Sequence, residues 1–389
     1  MMSNSERISH SARILKPSGI RKYFDLVQSM SGVISLGVGE PDYTTPWRIR
    51  HNAIKSLEMG QTTYTSNAGM LDLRKAISKK VALETGVEYD PYTEILITVG
   101  VSEGLDLSMR ALINPTDEVM ITDPSYVSYG ACAYLAGGNE VRVPLSESDN
   151  FELSYDLLKK YVTPRSKVLM MGYPANPTGA ILPKDKVAQV ASFAKEHNIF
   201  VVSDEIYAKL TYNEKHHSIV SEPGMKERVL LLSGFSKAYA MTGWRIAYAL
   251  GPKDVISAMT KIHQYTIMCA PTMAQVAAIE ALAQEDDVES MVEDYNRRRN
   301  VMVSGLRQIG FSCFEPKGAF YAFPRITLCG MSSEEFAEKL LTEEKVAVVP
   351  GDAFGPSGEG HVRCCYATAL SQIEEALQRM ERFAKRYSL

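Results

Sequence analysis

The chain has no run of about 18 apolar residues, so no helix of ordinary composition is expected to span a bilayer. Its first stretch, Met1 to Arg13, is polar and lacks the apolar centre of a secretory leader. Cysteines number only six in 389 residues, none at CxxC spacing. That excludes a disulfide framework and the usual zinc modules, and a cytoplasmic location is expected. Net charge is small, at -4, so no basic excess points to nucleic acid or to an anionic membrane. Arg297-Arg298-Arg299 is interleaved with Glu293 and Asp294 and reads as a solvated helix face. No internal repeat, low-complexity linker or Walker-type phosphate loop occurs, and a Ser–His–Asp triad is not expected. His216-His217 and His263 have no cluster of Cys, Asp or Glu beside them in sequence. They read as a solvated pair and as a core or surface histidine, not as metal ligands.

What is present is an ordinary globular balance, 45% hydrophobic and 23% charged, on a length that suits two domains. One rhythm runs through the middle. A short apolar run ends in a polar or glycine-containing loop, and a helical pattern follows. Ile95-Leu96-Ile97-Thr98 leads to Gly100-Val101-Ser102, and Val119-Met120-Ile121 leads to Thr122-Asp123-Pro124. Val168 to Met171, Ile199 to Val202 and Val229 to Leu232 each do the same, starting about 30 residues apart, the length of a βαβ unit. Continuous apolar strands predict a mostly parallel sheet covered on both faces. In such sheets ligands sit beyond the carboxyl ends of the strands, and every unusual residue of this chain falls there. The fold class expected is therefore α/β.

Beyond about residue 280 the pattern changes. A charged helix is predicted over 291–310, a strand-like alternation over 318–323, a helix over 332–343, a strand over 346–349 and a last helix over 370–387. This reads as a smaller α+β domain that also takes the N-terminal segment. The expected division is 46–283 for the large domain, and 1–45 with 284–389 for the small one.

The residues at the strand ends form a pattern. Lys237 stands in Ser233-Gly234-Phe235-Ser236-Lys237, and Arg245 follows in Met241-Thr242-Gly243-Trp244-Arg245. Asp204 and Tyr207 stand in Ser203-Asp204-Glu205-Ile206-Tyr207, Asn176 precedes Pro177-Thr178-Gly179, and Tyr126 follows Asp123-Pro124-Ser125. Singly, each has a plain reading: a loop lysine, a helix N-cap aspartate, an Asn-Pro turn, a core tyrosine. Together they match the needs of an aldehyde cofactor with a phosphate tail. Such a cofactor needs an amine to hold it and an anion at its ring nitrogen. It needs donors at its ring oxygen, a flat neighbour, and an anion cradle. Ser236, Arg245 and the Gly100-Val101-Ser102 turn offer that cradle. A guanidinium is also wanted for a substrate carboxylate.

In Asn176-Pro177-Thr178-Gly179, Asp204-Glu205-Ile206-Tyr207, Gly234-Phe235-Ser236-Lys237 and Met241-Thr242-Gly243-Trp244-Arg245, the chain resembles the class I aminotransferases of the fold-type I pyridoxal-phosphate enzymes. Leu36 to Asp42 resembles the family's N-terminal substrate loop, and the resemblance runs from about residue 15 to 385. It implies pyridoxal 5'-phosphate held as a Schiff base on Lys237, which then shuttles a proton. It implies Asp204 at the ring nitrogen, Tyr207 and Asn176 at the ring oxygen, and Tyr126 on the ring face. Ser236, Arg245, Gly100, Val101 and Ser102 would hold phosphate, with Tyr64 reaching in from a second subunit of a homodimer. The Gly39 backbone, Asn176 and Arg363 would receive the substrate. The chain departs from the family pattern at Cys364-Cys365, where an aliphatic residue and a serine are usual. It departs again at Gly234, where some relatives carry serine.

The activity expected is transfer of an amino group from an aromatic or aspartate-like amino acid to a 2-oxo acid such as 2-oxoglutarate. A C–S lyase of the same fold is an alternative, as is an acetyl-diaminopimelate aminotransferase. A transcription regulator with an aminotransferase-like domain would need a DNA-binding module ahead of the strand pattern, which begins by about residue 33.

Overall fold

The computed structural model describes residues 7–15, 17, 19 and 30–388. The other positions of the N-terminal segment lie outside the described residues. Twelve strands are placed there: β1 Ile34–Ser35, β2 Ile95–Thr98, β3 Glu118–Asp123, β4 Asn139–Pro144, β5 Ser166–Gly172, β6 Phe200–Asp204, β7 Val229–Gly234, β8 Ala247–Leu250, β9 Tyr321–Ala322, β10 Val346–Ala347, β11 Val349–Pro350 and β12 Val362–Cys365.

Seven of them form one sheet in the order β2-β8-β7-β6-β5-β3-β4. β8 runs antiparallel to both of its neighbours, and every other pairing is parallel. The fold is thus α/β with a mostly parallel sheet, as the apolar runs imply. Their side chains part by odd and even position, because successive strand residues point to opposite faces. Val119, Ile121, Val168, Met170, Val202, Leu230 and Leu232 pack on one face with the helices Gly100–Leu112 and Lys253–Thr266. Met120, Leu169, Met171, Val201, Val229 and Leu231 pack on the other, against helices that include Leu71–Thr85, Lys184–Glu196 and Thr272–Ala283. Both faces are dry, so continuous rather than alternating hydrophobicity is what this sheet needs.

A third cluster of buried residues joins Ile34 and Leu36 to the helices Asp286–Ile309, Ser333–Glu344 and Leu370–Tyr387. It contains the short strands β9 and β12, and also Tyr207, Leu210, Tyr212 and Ala240. The Ser333–Glu344 helix starts where Ser332 accepts a bond from the Glu335 N–H at 3.2 Å, an ordinary side-chain cap. The Leu370–Tyr387 helix buries Ile373, Leu377, Met380 and Phe383, one stripe at helical spacing.

One expectation is overturned here. Only Arg297 of the basic run is solvated, while Arg298 and Arg299 are buried. Arg298 Nη1 donates to Asp42 Oδ2 at 2.7 Å and to the Thr368 carbonyl at 2.8 Å. Arg299 Nη1 donates to Glu315 Oε1 at 3.0 Å and to the Pro316 carbonyl at 2.9 Å. Asp294 and Asn296 of the same helix also bond them, but Asp42, Thr368, Glu315 and Pro316 lie off that helix, so local charge patterning could not reveal the burial.

Candidate active site

The parallel strands β3, β5, β6 and β7 end on one side of the sheet. The loops that leave them there line a cavity of about 820 Å³. Val101, Ser102, Tyr126, Asn176, Asp204, Tyr207, Ser236, Lys237 and Arg245 line it from the sheet side, with Gly39 and Arg363 across from them. Two expected residues do not line it. Gly100 is buried with φ at +74°, and a Cβ there would meet Arg245 Nη2 at 2.5 Å. Its place is behind the Arg245 guanidinium, where no side chain fits. Tyr64 is 79% exposed and away from the cavity.

Asp204 ends β6 and is buried. No helix begins at it, so it is no ordinary N-cap. Its Oδ1 accepts from the Ile206 N–H at 3.2 Å and its Oδ2 from the Tyr129 hydroxyl at 2.9 Å. Burial raises its pKa to about 6, against the pull of those two bonds. Lys237 follows β7 and is partly accessible along the cavity, yet its amine is surrounded by protein. Nζ donates to the Gly39 carbonyl at 2.6 Å, and no salt bridge to it occurs among the described residues. Burial lowers its pKa to about 8. A lysine held near neutrality is a usable nucleophile and base, which an ordinary surface lysine is not.

Arg363, on β12, is 1% exposed. Nη1 donates to Asn176 Oδ1 at 2.8 Å and Nη2 to the Gly37 carbonyl at 2.6 Å, while Nε has no partner. Its Cζ lies 4.5 Å from the Tyr321 ring centre and 4.9 Å from that of Phe354. Because a guanidinium only donates, it fixes the Asn176 amide with oxygen toward itself, leaving the NH₂ as a donor.

Sequence reasoning missed Tyr129 and Tyr321. Tyr321 lies in the strand-like 318–323 stretch, and its hydroxyl is 2.6 Å from that of Tyr207. Tyr129 follows Tyr126 by three residues, and no local signal marks its bond to Asp204. One pattern was also overlooked. Gly100-Val101-Ser102-Glu103-Gly104 spells glycine–x–serine–x–glycine at a strand-to-helix turn. The nearby imidazole does not serve Ser102: His263 Nδ1 lies 2.7 Å from Glu103 Oε1 instead. His216 and His217 are not a solvated pair either. His216 Nε2 is 2.8 Å from Glu205 Oε2, and His217 Nε2 is 2.9 Å from Glu222 Oε1. No group of three or more metal-ligating side chains occurs among the described residues, and no helix among them is long and apolar enough to cross a membrane.

A buried acid, an amine with no carboxylate bonded to it and a buried guanidinium around one cavity define a site for amine chemistry on a carboxylate-bearing substrate. Comparison with known proteins gives it a family. The model for class I and II aminotransferases matches residues 31–380. An aromatic-amino-acid aminotransferase of Thermococcus litoralis is 44% identical over 386 residues, covering 98% of this chain and 99% of that protein. An aspartate aminotransferase of Pyrococcus abyssi is 44% identical over 392 residues, covering 100% of both. The solved structure of Thermus thermophilus aspartate aminotransferase with maleate superposes with a TM-score of 0.92 at 36% identity, covering 96% of this chain and 99% of that one. The chain belongs to the class I aminotransferases and is an enzyme that transfers nitrogenous groups. Its seven-stranded, mostly parallel sheet is that of the fold-type I architecture.

Proposed function

We propose that this aminotransferase works with pyridoxal 5'-phosphate, taking an amino group from an aromatic or aspartate-like L-amino acid and giving it to a 2-oxo acid such as 2-oxoglutarate. The observation that carries the reading is Lys237: an amine without a carboxylate partner, in one cavity with buried Asp204 and Arg363. The donor set fits the cofactor. When bound, pyridoxal phosphate supplies an aldehyde that joins amines and a ring that draws electrons from the substrate α-carbon.

In this reading Lys237 would hold that aldehyde through Nζ, and the same amine would move a proton at the substrate α-carbon. Asp204 holds a proton at the ring nitrogen, and the Tyr129 hydroxyl keeps its carboxylate turned inward. Tyr207 and the Asn176 NH₂ donate to the ring oxygen, and Tyr126 lies along the ring. Ser236, Arg245 and the amides of Val101 and Ser102 hold the phosphate. Gly100 lets the Arg245 guanidinium sit flat against the helix start. Arg363 and the Gly39 backbone take the substrate carboxylate, with Asn176 beside them.

The exposed side chains of Tyr64 and Tyr265, at 79% and 87%, suit a homodimer in which Tyr64 enters the other subunit's phosphate site. Six unpaired cysteines suit a reducing cytoplasm. The third buried cluster, drawn mainly from Ile34, Leu36 and residues 291–384 with four members from 207–240, supports a small domain of 1–45 with 284–389 beside a large one over 46–283.

The test is borohydride reduction of the cofactor-loaded protein, followed by peptide mapping. A pyridoxyl mass on the Lys237 peptide is expected, and its absence would overturn the reading. Phenylalanine, tyrosine and aspartate, each with 2-oxoglutarate, then rank the donors. Turnover with none of them would remove the substrate assignment and leave the cofactor assignment standing.

A further inference from the structure

Tyr321 belongs to no motif named above, yet it touches both halves of the site. It sits on β9, is 1% exposed, and packs in the third buried cluster. Packing alone would explain its ring. It does not explain a hydroxyl that lines the cavity and lies 2.6 Å from the Tyr207 hydroxyl, nor a ring set against the Arg363 guanidinium at 4.5 Å. The two tyrosine rings meet edge to face, with centres 5.8 Å apart.

We propose that Tyr321 is a positioning residue with two separable duties: its hydroxyl donates to Tyr207 and so strengthens Tyr207 as a donor, while its ring holds the Arg363 guanidinium flat for a carboxylate. The inference rests on the functional reading above. Each phenol has one hydrogen to give. If the Tyr207 hydrogen points to the cofactor's ring oxygen, the 2.6 Å bond between the hydroxyls must be donated by Tyr321. A hydroxyl that accepts a bond gives a stronger one, because hydrogen bonds in a chain polarise each other. The hydroxyl of Tyr321 has no such second task among its described bonds.

The ring's duty follows from the geometry of Arg363. Its two terminal nitrogens are tied to Asn176 and Gly37, and Nε is buried without a partner. Tyr321 and Phe354 supply the aromatic surface against the guanidinium. A guanidinium that tilts loses the planar match to a carboxylate.

The two duties predict different losses. Tyr321→Phe removes the hydroxyl and keeps the ring, whereas Tyr321→Leu removes both. The first readout is the pH midpoint of the absorbance band of the cofactor-loaded protein. A donor at the ring oxygen matters most when the neighbouring nitrogen has lost its proton, so weakening it makes that nitrogen hold its proton to higher pH. Tyr207→Phe should raise the midpoint most. Tyr321→Phe should raise it in the same direction by about 0.3 pH unit. The second readout is the dissociation constant of a non-reacting dicarboxylate, maleate. It should be unchanged in Tyr321→Phe and raised by about tenfold in Tyr321→Leu.

A Tyr321→Phe midpoint equal to wild type would overturn the first duty. Equal maleate binding in Tyr321→Phe and Tyr321→Leu would overturn the second. Thermal melts of the loaded proteins check that each variant is folded. Should Tyr321→Leu not fold, Tyr321→Met supplies the ring-less arm. A wild-type protein with no absorbance band would instead overturn the cofactor reading, and this inference with it.

Discussion

Two groups of charges lie within this molecule; burial acts on both in the same sense, and their partners decide opposite outcomes. In the cavity, Lys237 and Asp204 lack opposite charges in contact, and burial moves both toward neutrality, to about 8 and about 6. Glu285 lies where the helix Thr272–Ala283 gives way to Asp286–Ile309, and there the balance reverses. Lys80 pairs with it, Lys209 Nζ reaches its Oε2 at 2.9 Å, and the Tyr239 hydroxyl donates to Oε1 at 2.7 Å. Burial alone would raise the Glu285 pKa, but bonds from Lys80, Tyr239 and Lys209 outweigh it and pull it to about 2. Lys209, between Glu285 and Glu84, is likewise held above its ordinary range despite burial. Partnered charges stay charged and join elements. Unpartnered ones are left able to change protonation, which chemistry needs and stability does not.

Breaking the cavity side should cost activity and not stability. Lys237→Ala should lower transamination more than about 10³-fold, because the amine is both anchor and proton carrier in the proposed function. Its urea midpoint without cofactor should not fall, since loss of the bond to the Gly39 carbonyl is offset by removal of an amine whose charged form burial disfavours. Steady-state turnover and an unfolding curve check the two halves, and a destabilised but active variant would reverse the contrast. Breaking the other side should do the opposite. Glu285→Ala takes away one of the two carboxylates that Lys80 and Lys209 share, leaving Glu84, and should lower stability by about 2 kcal/mol. That lies between the value of an exposed pair and that of a fully buried one. An unmoved urea midpoint would mean the cluster is only a solvated surface pair.

How much of this contrast was legible beforehand follows from where its signals live. The strands β2, β3, β5, β6 and β7 are continuous apolar runs, so the parallel sheet was readable. β4, Asn-Glu-Val-Arg-Val-Pro, is an edge strand with exposed polar residues, and β8, Ala-Tyr-Ala-Leu, is short and small. Neither carries a run, and the one antiparallel strand of this sheet went unseen. The cavity residues sit at strand ends, where local sequence marks them. The tertiary partners do not: Asp42 for Arg298, Tyr129 for Asp204 and Tyr321 for Tyr207 are each 75 or more residues away. Charge that reads as solvated in a helix, as at Arg298 and Arg299, can be buried when its acceptors come from elsewhere.

The smallest expected effect is the sharpest test, because it predicts a gain. A carboxyl whose folded pKa lies above its unfolded value keeps its proton longer in the folded state. Its contribution is intact below about pH 4 and is lost as pH climbs through about 6. Cofactor-free wild type therefore carries a buried carboxylate at pH 7.5 that it would be more stable without. Asp204→Asn keeps the shape: its oxygen can accept from the Ile206 N–H while its NH₂ donates to the Tyr129 hydroxyl oxygen, and it has no charge to bury. The cofactor-free variant should be about 1–2 kcal/mol more stable than wild type at pH 7.5, with the advantage fading toward pH 4. Its activity should fall, since an amide cannot balance a protonated ring nitrogen. Urea unfolding at the two pH values reads the difference directly. A variant less stable at pH 7.5 would show that Asp204 is held by its hydrogen bonds as firmly as Glu285 is held by its lysines, and the distinction between the two regions would be gone.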